Sequence, residues 1–249
     1  MQLDVNADLG EGYSAWSMGD DAALLDIVTS ANIACGFHAG DSLVMARTLA
    51  AAVERNVTIG AHVSYQDRAG FGRVPMAVPG PRLHAEVSYQ IAALSGMARV
   101  AGGTVRYVKP HGALYHAILN DQEQADAVVA AVAEHGLTLL TQPGLAADVA
   151  DQRGVPVAFE LFADRAYTSA GTLAPRSEPG AVIHDIHQIV ARIEQFLATG
   201  TLPTRDGDPV HVPARTVCVH GDTPDAVAIA RAVADTLAAG GGLAPFVAP

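Results

Sequence analysis

A chain of 249 residues is about the length of one α/β barrel, and with half its residues hydrophobic it can bury a large core. The formal net charge of −11 argues against the basic footprint of a nucleic-acid binder or of a protein held on an anionic membrane. The opening Met1-Gln2-Leu3-Asp4-Val5-Asn6 lacks the basic and apolar regions of a signal peptide, no run approaches the ~20 apolar residues of a membrane span, and Cys35 and Cys218 form no CxxC, so a reduced, cytoplasmic protein is expected.

Strand-like and helix-like runs alternate from end to end. Residues 3–7 read as a strand and 20–29 as a helix; 32–35 is a short strand. Residues 41–55 form a helix with Asp41 as its N-cap and an apolar face at Val44, Leu49 and Val53. Strand 57–63 precedes a long helix over 79–101, entered through Pro81. Then come strand 104–108, helix 121–134 closed by Gly136, strand 137–141, helix 145–152, strand 155–159, helix 184–198, strand 216–219 and helix 224–239. Residues 243–247 offer a last short strand. Two loops are long, 64–78 and 164–181. Short, β-branched strands alternating with helices point to a parallel sheet buried on both faces. Seven or eight such units favour closure into a TIM-like α/β barrel, one domain over residues 1–249. A doubly wound open sheet would carry a Gly-rich phosphate turn after its first strand, and Asp8-Leu9-Gly10-Glu11-Gly12 is not GxGxxG.

The chemistry lies in the residues just past each strand. The first strand runs into Asn6, Asp8 and Glu11, the second into His38 and Asp41, the third into His62, Asp67 and Arg68. The fourth ends at Lys109 and His111, the fifth at Gln142, the sixth at Glu160, Asp164 and Arg165, and the seventh at His220 and Asp222. In a barrel these ends converge on the face that carries the active site. An Asp after a strand also serves as the N-cap of the next helix, an ordinary role for Asp41, Asp121 and Asp222. Lysine occurs once, at Lys109, against fourteen arginines, which marks a place where a guanidinium does not serve. Three chemistries are open to such a ring: carboxylate and His ligands around a water-activating divalent metal, general acid–base catalysis without metal, and Lys109 with Arg165 holding an anion or a developing oxyanion. There is no Walker A motif and no GxSxG elbow, and neither Cys stands in the electropositive setting of a nucleophile.

Seven blocks together resemble the LamB/YcsF family: Asn6-Ala7-Asp8-Leu9-Gly10-Glu11, Ala34-Cys35-Gly36-Phe37-His38-Ala39-Gly40-Asp41, Gly60-Ala61-His62, Gly70-Phe71-Gly72-Arg73, Val108-Lys109-Pro110-His111-Gly112-Ala113-Leu114-Tyr115, Phe162-Ala163-Asp164-Arg165 and Cys218-Val219-His220-Gly221-Asp222. They span nearly the whole chain in order. Two loop positions depart from the family pattern, Val63 where a Pro is expected and Ser169-Ala170 before Gly171. The family contains the A subunit of the bacterial ATP-dependent 5-oxoprolinase. The resemblance implies a seven-stranded (βα) barrel of the glycoside hydrolase/deacetylase kind and cleavage of 5-oxo-L-proline to L-glutamate. ATP would be the co-substrate of a complex with B and C subunits. Asp8 or Glu160 is then expected as base, His62 and His111 as proton shuttles, and Lys109 as the group that neutralises the carboxylate or phosphate. Asn6, His38, Asp41, Arg73, Asp164, Arg165, His220 and Asp222 are expected around the substrate. Two rival readings stand beside it: a metal-dependent deacetylase-like hydrolase with Asp8, His62 and His111 as ligands, and a lactam-binding regulatory subunit without catalysis of its own.

Overall fold

The computed structural model describes residues 2–222 and 225–246. Seven parallel strands close into a barrel in the order β1 (Asp4–Leu9), β2 (Ser30–Ala34), β3 (Thr58–Val63), β4 (Val105–Pro110), β5 (Thr138–Thr141), β6 (Val157–Phe162) and β9 (Thr216–Val219). Closure is the pairing of β9 with both β6 and β1. Helices α1 (Asp21–Leu25), α2 (Ser42–Glu54), α3 (Gly80–Val100), α4 (Gly112–Ala117), α5 (Gln122–Glu134), α6 (Leu145–Gln152), α7 (Ile186–Thr199) and α8 (Ala226–Ala239) fill the connections. A small antiparallel pair, β7 (Thr201–Leu202) with β8 (Val210–His211), lies between α7 and β9.

The helices form for local reasons that the sequence carries. Asp41, Asp121 and Asp185 accept hydrogen bonds from first-turn amides and so satisfy otherwise orphaned donors. In α2 the buried Met45, Thr48, Leu49 and Ala52 recur at helical spacing; in α3 Leu83, Val87, Ile91, Leu94 and Ala98 do the same. These stripes pack on the outward-facing Val5, Ala7, Leu9, Ile33, Ala61 and Val63 of the strands.

The inward-facing positions are different: both faces of the sheet are buried as expected, but the inner one is polar. Side chains alternate across a strand. On β1 every second residue is polar (Asp4, Asn6, Asp8), and Ser30 and Asn32 on β2 and Thr216 and Cys218 on β9 continue the pattern. The barrel is filled by a hydrogen-bonded stack. Asp4 accepts from Thr29, Ser30 and Thr216, the Asn6 amide donates to Thr216, Asn32 donates to Asn6 and Asp8, and the Tyr107 hydroxyl donates to Asn32. Gly60 makes room for the Tyr107 ring, since a Cβ there would lie 2.1 Å from it. Such a stack is tolerable in the interior because its members satisfy one another.

Other expectations shift at their edges. The helix expected over 20–29 stops at Leu25, because Ile27 and Val28 both donate to the Leu24 carbonyl in a tight turn that delivers Ser30 to β2. The segment at 243–246 is no eighth barrel strand. Leu243 makes a single bridge to Leu3, and Phe246 packs on the Tyr107 ring at 4.8 Å. Both barrel edges are already taken by β9 and β1, so this segment packs beneath the floor. Val247, like Pro224 at the expected start of the last helix, lies outside the described residues. No described helix is long and apolar enough to cross a membrane.

Candidate active site

A cavity of about 970 Å³ opens at the C-terminal ends of the strands, lined by Asp8, His62, Lys109, His111 and His220 together with Tyr65, Arg73, Tyr115, His116, Arg165 and Arg176. Its floor is the top of the polar stack. Lys109 Nζ rises from β4 at 3.2 Å from both Asn6 Oδ1 and Asp8 Oδ1, 3.1 Å from Glu160 Oε2 and 3.0 Å from Cys218 Sγ. Burial disfavours the charged form of this ammonium, but Asp8, Cys218 and Glu160 outweigh it and hold its pKa well above the ordinary lysine value. Burial raises Asp8 too, yet His62 and Lys109 keep its carboxyl well below the usual carboxylate range. Asp8 therefore presents an ionised Oδ2 to the cavity, 3.4 Å from His62 Nε2, while Asn32 and Lys109 tie down Oδ1.

On the side of β2, β3 and β4 stands an aromatic and carboxylate cluster. His62 Nδ1 donates to the Lys109 carbonyl at 2.9 Å, and His111 Nε2 donates to the Phe71 carbonyl at 2.9 Å. The free nitrogens of the two rings, Nε2 of His62 and Nδ1 of His111, are 3.0 Å apart. Glu11 Oε1 lies 3.0 Å from His38 Nε2, 3.5 Å from His111 Nδ1 and 3.8 Å from His62 Nε2. Burial and the charge of Asp8 push the Glu11 carboxyl up to about 8. The His38 ring stacks on His111 at 3.9 Å, and its Nδ1 has no hydrogen-bond partner. The loop between β3 and α3 supplies the Phe71 carbonyl. There Phe71 and Gly72 both adopt left-handed φ angles (+55° and +64°), and Asp67 accepts from Gly70 through its side chain and from Gly72 through its backbone. This explains the spacing of Asp67 and Gly70-Phe71-Gly72. The turn needs a glycine where a Cβ would lie 2.3 Å from Ser64 Oγ.

On the opposite side Asp164 accepts from His220 Nδ1 at 2.9 Å, which turns His220 Nε2 away from the carboxylate. Phe162 stacks on the His220 ring. Arg165 donates to the Ala174 and Ala181 carbonyls, folding the 164–181 loop over the mouth, and burial with Arg176 nearby brings its pKa down to about 10. At the rim Arg73 pairs with Asp222 at 2.6 Å.

The structure thus gathers Asp8, His62, Lys109, His111, Arg73, Arg165 and His220 on the cavity wall. It sets the others apart from it. Asn6 and Glu160 lie beneath Lys109 in the stack, His38 stands behind His111, and Asp164 stands behind His220. Asp222 is engaged by Arg73. Asp41 departs from the sequence expectation of a substrate ligand. Its carboxylate accepts from the amides of Ser14, Leu43 and Val44 and is used up as a helix cap. Cys218 departs too, since it touches the ammonium of Lys109; burial nevertheless pushes its thiol well above the ordinary value. The sequence reading leaves Glu11 without a role and misses Tyr65, Tyr115, His116 and Arg176. Among the described residues, two groups bring ligand-type atoms within 4.8 Å of one another: Glu11, His38, His62 and His111, and Asp8, Cys218 and His220. The metal trio expected from sequence, Asp8, His62 and His111, is divided between them.

A sequence model of the LamB/YcsF family matches residues 3–247. The chain belongs to the LamB/YcsF family. Among its relatives, a protein named as a 5-oxoprolinase A subunit from Pseudomonas syringae is 53% identical over 92% of this chain and 91% of its own length. The 5-oxoprolinase A subunit of Cutibacterium acnes is 51% identical over 96% of both. The crystal structure of a lactam utilization protein from Thermus thermophilus superposes with a TM-score of 0.94 at 39% identity, covering 99% of this chain and 100% of that one. A putative cellobiose-phosphate cleavage protein from Enterococcus faecalis shares the fold alone, with a TM-score of 0.57 at 12% identity over 97% of this chain and 95% of that one. Six of the seven sequence blocks supply residues to the cavity lining, and the 34–41 block stands behind it.

Proposed function

We propose that this chain is the A subunit of an ATP-dependent 5-oxoprolinase, opening the lactam of 5-oxo-L-proline to give L-glutamate in a complex with B and C subunits in the cytoplasm. The carrying observation is the depth of the cavity. An ionised carboxylate (Asp8 Oδ2), three histidines (His62, His111 and His220) and one fixed ammonium face a space far larger than a small lactam. The names and near-complete coverage of its relatives supply the substrate.

A five-membered lactam is an unstrained amide and a poor electrophile. ATP, as co-substrate, would supply phosphorylation of the amide oxygen and so activate the ring carbon. This chain's own side chains then have definable tasks. Asp8 is the base that takes a proton from the attacking water, since its Oδ2 is exposed to the cavity while Glu160 is not. His220, aimed by Asp164, returns a proton to the ring nitrogen as the C–N bond breaks, leaving a γ-glutamyl phosphate that a second water hydrolyses to glutamate and inorganic phosphate. Lys109 holds the charge of Asp8 in place and offers its field to the anionic phosphoryl group on the former amide oxygen. Arg73, Arg165 and Arg176, which line the cavity, are the cations that receive the substrate carboxylate.

The test is glutamate release from 5-oxoproline and ATP, with this chain alone and then with its B and C partners. Turnover only in the full mixture, lost in Asp8→Ala while the complex still assembles, is the expected result. Full activity of Asp8→Ala in an intact complex would reject the assignment of the base. No glutamate from any mixture would reject the substrate.

A further inference from the structure

The His62–His111 contact poses a chemical problem that the lactam reaction does not solve. A backbone carbonyl can only accept a hydrogen bond. His62 Nδ1, at 2.9 Å from the Lys109 carbonyl, must therefore carry its hydrogen, and so must His111 Nε2 beside the Phe71 carbonyl. With both rings neutral the remaining nitrogens are both lone pairs, 3.0 Å apart, and what relieves them is either a proton on His62 Nε2, which Asp8 Oδ2 faces at 3.4 Å, or a metal ion. Two acceptors at that distance repel unless something positive lies between or beside them. Glu11 Oε1 completes the triangle at 3.5 Å from His111 Nδ1 and 3.8 Å from His62 Nε2. Adjacent donor atoms on a tetrahedral ion with bonds of ~2.0–2.1 Å stand about 3.3 Å apart, so these separations are those of ligands on one small cation.

From this we infer that Glu11, His62 and His111 form a binding site for a divalent first-row transition ion of the zinc class. Imidazole and carboxylate donors without thiolate suit that class better than calcium or magnesium. Two His and one Glu leave further positions for water or substrate, the pattern of reactive rather than closed structural sites. The carbonyl bonds on the far nitrogens are the orienting contacts that metal-bound histidines make. His38 is not a ligand. Its ring lies parallel to His111, 6° between planes at 3.9 Å, and lone pairs in two stacked planes cannot meet at one point. It holds Glu11 through Nε2 at 3.0 Å instead. The site is buried yet adjoins the cavity, since His62 and His111 belong to both. This inference concerns the ion alone and stands whatever the substrate is.

The intact chain, stripped with a chelator and titrated with Co2+, tests it. One equivalent of Co2+ should bind with the intense visible absorption of a low-symmetry site and be displaced by Zn2+. Glu11→Gln and His111→Ala should abolish that band, and His38→Ala should weaken binding by about ten- to a hundredfold. X-ray absorption on the Zn2+-loaded wild-type chain needs no variant and should show scattering from two imidazoles and no sulfur. Failure of the wild-type chain to bind either ion at micromolar concentration would overturn the proposal and leave a shared proton between the two rings. Sulfur scattering would overturn it by putting the ion at Cys218 with Asp8 and His220. Folded Glu11→Gln and His111→Ala chains that bind Co2+ as the wild type does would overturn it as well.

Discussion

Lys109 shows how much a single side chain can commit. Its ammonium is enclosed by Asp8, Glu160, Asn6 and Cys218, and a guanidinium, planar and larger, has no room to make the same contacts. Removing a buried charge strands its partners, which costs about 3–5 kcal/mol. Lys109→Met is therefore expected to lose stability of that order in denaturant unfolding, and Lys109→Met with Glu160→Gln to recover part of it by sparing one uncompensated carboxylate. A double variant no more stable than the single would deny the ion pair. The Asp164–His220 pair makes a prediction in pH. Burial raises the Asp164 carboxyl, but His220 beside it lowers it further, and the net shift is downward. A folded pKa below the unfolded value gives stability that is present above the unfolded value of about 3.9 and is lost as pH falls below it. Wild-type stability should decline between about pH 5 and pH 3 more steeply than that of Asp164→Asn. Equal slopes would mean that the pair is not ionised. At this scale the sequence is legible where a residue ends a strand, as for Asp8, His62, Lys109 and His220. It is poorly legible where a turn reverses the chain. Glu11 reaches the histidines because Gly10 takes φ +70°, and nothing in the composition of Asp8-Leu9-Gly10-Glu11 announces the direction of that turn.

Among the elements, the loops after β3 and β4 act as one piece. The Gly72 carbonyl accepts from Ala113, the Phe71 carbonyl accepts from His111, and Gly112 has φ +57° with space for a Cβ denied by the Gly72 oxygen at 2.4 Å. Gly112→Ala must bear both the left-handed penalty of about 1–2 kcal/mol and a displacement of the Phe71–Gly72 turn. It should lower the melting temperature and, by releasing His111, cut glutamate formation in the complex more than its stability loss explains. A variant that melts early but keeps wild-type turnover per folded chain would separate the turn from the chemistry. The cap of α2 makes the contrasting case. Asp41→Ala should lower the melting temperature by a few degrees and leave KM for 5-oxoproline unchanged, because all of its contacts are to backbone amides. A raised KM would restore it as a substrate ligand. Long elements are legible because the caps and apolar stripes of α2, α3 and α5 repeat over many residues. The six residues of α4 are too short to show a period, and Tyr115 and His116 are missed with them.

For the molecule as a whole, alternation of strands and helices foretells a closed barrel, and the convergence of polar strand ends foretells which mouth holds the chemistry. The polar filling of the barrel is hidden, because a run such as Asp4-Val5-Asn6-Ala7-Asp8 gives its outward residues to the helices and its inward ones to each other. That filling limits what the chain can do alone. Its one ammonium at depth is already matched by Asp8 and Glu160, leaving Arg165, Arg176 and an Arg73 paired with Asp222 around the cavity, on a chain of net charge −11 with no Gly-rich phosphate loop. A triphosphate brings several negative charges and needs a nest of amides, lysine and metal to hold them, whereas 5-oxoproline brings one carboxylate that a single arginine can meet. The isolated chain should therefore bind 5-oxoproline and not ATP in calorimetric titration, and should gain ATP-dependent turnover only with its partners. Tight ATP binding by the chain alone would move the phosphorylation step into this barrel and make the cavity arginines its phosphate site. Lactam binding without ATP binding would leave phosphorylation to the partners and ring opening to Asp8 and His220.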